Sequence, residues 1–132
     1  MGKKCVISAV TMFVMALALS FFVHGVLLYP DYAVTPGMRP PAEANALMPY
    51  MILAQALFGI AFAWVYVQGK EDKPWLAQGI RFGIAIAFLT VIPTYLIYHV
   101  VTPVPLALAL KQIVYDTIRV ALMGIVLAWI NR

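Results

Sequence analysis

Charge is scarce in this chain. Lysine, arginine, aspartate and glutamate make up 11% of its 132 residues, against about 25% in an ordinary soluble domain. Cysteine is nearly missing too. Cys5 stands alone, which excludes an intramolecular disulfide and leaves too little thiol for a cysteine-ligated metal. No HExxH, P-loop or G-x-S-x-G sequence occurs, nor a carboxylate pair with room for a water, so nothing specifies an enzyme. The net charge of +4 lies mostly at the ends of apolar runs. It is not the clustered basic surface that nucleic acid requires, and no nucleic-acid partner is expected.

Apolar side chain fills the remainder. The chain is 64% hydrophobic, with a mean hydropathy of +0.94. That is far too apolar for a soluble core of this length and predicts an integral membrane protein. Four segments, about 6–29, 49–68, 80–101 and 104–130, each supply roughly the 20 residues a helix needs to cross about 30 Å of hydrocarbon. None alternates as a barrel strand would. The fold class expected is all-α, a single integral membrane four-helix bundle with an outer loop at 30–48 and a cytoplasmic loop at 69–79. "MGKK" and the "ALA" at 16–18 resemble parts of a signal peptide, but the apolar run is too long for one. Val6 stands where a myristoylation motif wants Ser or Thr. The first segment is therefore expected to stay as an uncleaved helix.

Lys3, Lys4, Lys70, Lys73, Arg81 and Arg132 fall on one side of this layout, and among the loops of the other side only Arg39 is basic. The positive-inside rule then puts both termini in the cytoplasm. The proline-rich loop should be an ordered, mostly extended cap, with one or two helical turns at 41–48 before Pro49 opens the second helix. Small residues recur at four-residue spacing: Ala16 and Ser20, Gly59 and Ala63, Gly79, Gly83 and Ala87, Gly124 and Ala128. Such faces let helices approach closely, within one bundle or as the seams of a homodimer.

The last segment carries "KQIVYDTIRV" (111–120), with Asp116 near its middle. At a 1.5 Å rise per residue, Gln112, Gln55, Tyr95 and Ser20 come out roughly 5–8 Å toward the outer face, with His24, His99 and Lys111 roughly 9–12 Å out. At 3.6 residues per turn, Gln112, Asp116 and Arg119 share a stripe, Phe88, Ile92, Tyr95 and His99 share another with Arg81, Ser20 and His24 a third, and Gln55, Gly59 and Tyr66 a fourth. Ionisable groups at such depth are costly in hydrocarbon, so these faces should turn inward onto an outward-opening polar pocket. Its candidate ligand-binding or ion-coupling residues are Asp116, Arg119, Gln112, Tyr95, His99, His24 and Gln55. A second reading stays open: Asp116 and Arg119, three apart, pair on their own helix, Lys111 snorkels outward, and the others are interhelical glue. His24 and His99 at equal depth also suit haem or a metal, but the composition around them argues for no cofactor.

The stretches "VHGVLLYPDY" (23–32), "EDKPWLAQGIRFG" (71–83), "PTYLIYHVVTPVP" (93–105) and "KQIVYDTI" (111–118) resemble those of an uncharacterised family of small four-helix bacterial inner-membrane proteins. The resemblance covers nearly the whole chain and implies that fold and compartment; it implies no activity, cofactor or binding residue. The expectation is a non-enzymatic, multi-pass inner-membrane protein whose pocket takes a small ligand, a lipid head group or a partner subunit. Besides the lipid bilayer, its partners would be a second copy or a larger membrane complex. A proton- or ion-coupled transporter, acting as a dimer with Asp116 titrating, is the competing expectation.

Overall fold

In a computed structural model, which describes residues 2–132, the chain is helical from end to end, with no strand among the described residues. Helix α1 (Lys3–Phe22) runs on through a π turn (Val23–Leu27). Two short helices follow, α2 (Tyr29–Ala33) and α3 (Pro41–Ala46). Helix α4 is Met48–Gly69, and α5 (Trp75–Ile86) passes through a second π turn (Ala87–Val91) into α6 (Ile92–Val101). Helix α7 is Leu106–Ile130. Four continuous helices, Lys3–Leu27, Met48–Gly69, Trp75–Val101 and Leu106–Ile130, are each long and apolar enough to cross a membrane. Both termini and the 70–74 loop share one end, where Lys70 Nζ donates to the Asn131 carbonyl at 2.8 Å. The other end holds residues 28–47 and 102–105.

Two boundaries differ from the sequence expectation. The third long helix begins at Trp75, not 80, because Pro74 precedes it and the polar first turn is helical despite its low hydropathy. There the Glu71 N–H donates to Gln78 Oε1 at 2.6 Å while Gln78 Nε2 donates back to the Glu71 carbonyl at 3.1 Å. The 30–48 loop has the helical turns expected at 41–48, as α3, but its first part is the short helix α2 and not extended: Pro30, like Pro41, sits in a first helical turn, where a missing N–H costs nothing. Between α2 and α3, Gly37 has φ +81, which side chains rarely adopt, and a Cβ there would lie 3.3 Å from Pro103. The loop is thus folded down against the 102–105 turn.

Small residues line the inside and large ones the outside. Helix α1 packs chiefly on α4 and α5 on α7, and α1 and α7 join the two pairs. Ser8, Met12, Ala16 and Ser20 form the buried stripe of α1. A Cβ on Gly59 would lie 2.6 Å from the Phe13 nitrogen, and one on Gly83 2.6 Å from the Ala121 Cα. All four small-residue faces are consumed inside the chain, so a homodimer would have to use another surface. The aromatic rings of Phe62 and Phe82, 4.8 Å apart, close α4 against α5. Phe21, Trp64, Phe88 and Leu89 instead point outward and are more than half exposed.

The π turns keep those stripes straight. Steps of four residues drift by about 40° each at 3.6 residues per turn. One wider i→i+5 turn accommodates one extra residue and so takes back about 100°, the drift of between two and three such steps. The inward stripe Ser8, Met12, Ala16, Ser20 therefore continues to His24 and Leu28, and Gly79, Gly83, Ala87, Val91 continues to Tyr95. Both π turns precede a proline, Pro30 and Pro93, whose ring displaces the carbonyl four residues back. Thr90 Oγ1 donates to the Ile86 carbonyl at 2.8 Å in the second one.

Close backbone packing makes a quantitative demand. Gly83→Ala should cost about 1–3 kcal/mol, since neither backbone can yield. Gly69→Ala, with nothing within 4 Å of the added Cβ, should stay within about 0.5 kcal/mol of wild type. Thermal unfolding of the detergent-solubilised variants reads the difference; equal losses would contradict this packing.

Candidate functional site: a buried carboxylate network

Asp116 lies in the middle of α7 and is 2% exposed. An ionised carboxylate offers only acceptors, so its burial requires donors. Three arrive from three helices. The Tyr95 hydroxyl (α6) donates to Oδ2, as does His24 Nε2 from the first π turn, at 2.9 Å. Arg119 Nε, one turn on along α7, donates to Oδ1 at 3.1 Å.

The chain of donors continues outward. With Nε2–H given to Asp116, the other ring nitrogen of His24 is free to accept, and the Tyr32 hydroxyl (α2) lies 2.6 Å from it. These contacts fit the neutral ring with its proton on Nε2. Gln112 Nε2 in turn donates to the Tyr32 oxygen at 3.0 Å. Gln112, Tyr32, His24 and Asp116 thus form one directed relay ending on the carboxylate. At its rim Lys111 Nζ pairs with Asp31 Oδ1 at 3.0 Å, tying α2 to α7.

Arg119 is the one member not fully served. Its side chain is nine-tenths buried, 10% exposed, and lies over the Phe58 ring at 5.4 Å from the centroid. Nη1 is buried without any hydrogen-bond partner among the described residues. A buried charged donor left unmet is costly and marks a place for an acceptor.

Of the seven residues picked from sequence, five meet here: Asp116, Arg119, Gln112, Tyr95 and His24. Two do not. Gln55 Nε2 donates to Ser20 Oγ at 3.1 Å and joins α4 to α1. His99 Nδ1–H donates to the Val104 carbonyl at 2.7 Å and pins the end of α6 to the following turn. With His99 so engaged and both His24 nitrogens in the network, the two histidines serve different bonds. No cluster of three or more His, Cys, Asp or Glu side chains suited to a metal occurs among the described residues. The stripe drawn through Phe88, Ile92, Tyr95, His99 and Arg81 is corrected as well. Phe88 is outward and 67% exposed, because the π turn re-phases the helix and puts Tyr95 on the Gly83 side instead. Two grooves at the opposite end of the bundle adjoin the 70–74 loop.

Two participants escape a reading by hydropathy. Asp31 and Tyr32 fall in a segment that looks like solvated loop, but α2 folds them back over the bundle. The signal available is Pro30 opening a helical turn, with an aromatic eight residues after His24. No family model, curated protein or solved structure matches this chain.

Burial pushes the Tyr32 phenol up to about 12 from the ordinary 10.0; the Gln112 N–H pulls it down, and the negative charges of Asp116 and Asp31 raise it. In the unfolded chain that phenol releases its proton first. Stability from Tyr32 should be intact below about pH 10 and be lost as pH climbs through about 12. Tyr32→Phe, followed by alkaline unfolding monitored by circular dichroism, should show a shallower decline over that window. An unchanged slope would mean that the phenol is not held in the network.

Proposed function

We propose that this chain is a small, non-enzymatic, multi-pass protein of the bacterial inner membrane, with both termini in the cytoplasm. Its buried polar network would be the site for a small ligand, a lipid head group or a partner's side chain. Four apolar helices with large side chains turned outward support the membrane reading. Lys3, Lys4, Lys70, Lys73, Arg81 and Arg132 gather near the termini end, whereas only Lys111 and Arg39 lie toward the other end. That asymmetry supports the orientation. A C-terminal green fluorescent protein fusion should fluoresce and a C-terminal alkaline phosphatase fusion should be inactive. The reverse pattern would invert the topology.

The observation that carries the binding role is Arg119 Nη1, a buried cationic donor with no acceptor among the described residues. The ligand supplies that acceptor, a carboxylate, phosphate or carbonyl oxygen, and enters from the loop end, where the His24 side chain remains 26% exposed. Removing Asp116 or Arg119 singly strands the other charge and should cost about 3–5 kcal/mol. Asp116→Leu with Arg119→Met removes both charges and should restore most of the stability. Native mass spectrometry of chain purified from its own membranes should show a bound adduct that this double variant lacks. A double variant as stable as wild type, with the same adduct or with none in either, would make the pair purely structural.

A second reading, proton coupling through Asp116, is favoured by the His24–Asp116 contact at 2.9 Å and the phenol relay behind it. It predicts pH-dependent solute uptake into vesicles that Asp116→Asn abolishes. Absence of any flux would remove it.

A further inference from the structure

The opposite end of the bundle holds a second feature, independent of the Asp116 network. An open groove of about 250 Å³ where α4, the 70–74 loop and α5 meet is lined by Lys73, Gln78, Arg81 and Glu71. It adjoins one of about 180 Å³ whose walls include Val65, Tyr66 and Lys70. Phe82 and Gln78 border both. The first is thus mainly charged in its lining, and the second adds the apolar side chain of Val65 beside Lys70.

Their charges do not cancel. The groove linings carry Lys70, Lys73 and Arg81 against Glu71 alone, 3 − 1 = +2. Asp72, in the same loop, lines neither. Glu71 is committed to Lys73, whose hydrogen bond and then charge hold its carboxyl below the ordinary range. Lys70 donates a hydrogen bond to a neutral carbonyl, that of Asn131, and keeps its charge. Arg81 has neither hydrogen bond nor ion pair among the described residues. The loop that presents these groups is already set, because Gln78 clamps the Glu71 backbone through both its N–H and its carbonyl. A cationic mouth on a preformed loop, opening onto Val65, Tyr66 and Phe82, suits a ligand that is anionic at one end and apolar at the other.

We propose that this cleft binds the phosphodiester head group of an anionic glycerophospholipid, with Arg81, Lys73 and Lys70 around the phosphate and the upper acyl chains along Val65, Tyr66 and Phe82. Basic clefts between helices at the cytoplasmic boundary have the chemistry that anionic lipid heads require. An arginine adds a planar fork that matches phosphate oxygens. The inference rests on the membrane reading above but not on any role for Asp116.

The test is lipid retention by native mass spectrometry from nanodiscs of equal phosphatidylglycerol and phosphatidylcholine. Wild type should keep phosphatidylglycerol in preference, and Arg81→Gln should lower that preference about fivefold. Arg81 is exposed, so this variant should keep its fold, which circular dichroism checks. Lys3→Gln with Lys4→Gln, which removes two charges from the same end but none from the cleft, should leave the preference unchanged. An equal loss in that control would mean diffuse attraction and overturn the site. A phosphate adduct formed with inorganic phosphate alone, and no preference between lipids, would assign the cleft to free phosphate and overturn it too. Entry into nanodiscs without lipid preference sinks this site only; failure to enter any bilayer sinks the membrane reading with it.

Discussion

The constraint on which the upper half of this protein turns is the isolation of one carboxylate among apolar helices. Asp116 has almost no solvent contact, and leaving it unpaired would cost more than most single interactions in the chain supply. Each neighbouring element is shaped to bring it a donor. The first long helix widens just where His24 must turn inward, α6 carries Tyr95, and α7 sends Arg119 back by one turn. The short helix α2 then closes the second layer, with Tyr32 satisfying the far side of the His24 ring and Asp31 holding Lys111. Direction matters as much as proximity. Every donor in the relay points toward Asp116, so a change of protonation at any one position asks the next to reverse.

The other constraint is steric. In the bilayer proposed for this chain, burial of hydrocarbon would give helices little reason to prefer one another, so close contact must hold them together. Gly59 against Phe13, and Gly79 and Gly83 against Gly124 and Ala121, bring backbones to distances that a single methyl group would forbid. Dispersion accumulates over these contacts, and the polar network then fixes which rotation of the helices is allowed. The two halves of the bundle thus cohere by different means, with tight glycine packing toward the termini and hydrogen bonds toward the loops.

Much of this was legible in the sequence. Apolar run length located four long helices, and the four-residue spacing of Ala16, Gly59, Gly83 and Gly124 identified the faces that meet. Asp116 and Arg119 could be recognised as inward-facing from cost alone. What hydropathy could not supply was the start of α5, where polar Gln78 and Arg81 lie on a helix whose cap is Pro74. The same averaging hid α2 within a loop, and with it Tyr32. His99 and Gln55 shared the right depth with the others, yet depth says nothing of azimuth, and each found a nearer partner.

The two π turns change what length means in this chain. In phase, each is equivalent to one residue inserted into an ordinary helix, placed between the packed half and the polar half. Shortening Val23–Leu27 or Ala87–Val91 by one residue would leave composition, hydropathy and span almost untouched. It would nevertheless swing His24 or Tyr95 around its axis by about 100° and take that donor away from Asp116. Residue count in these two segments is therefore under tighter geometric control than residue identity, a form of information that neither a substitution table nor a hydropathy profile records.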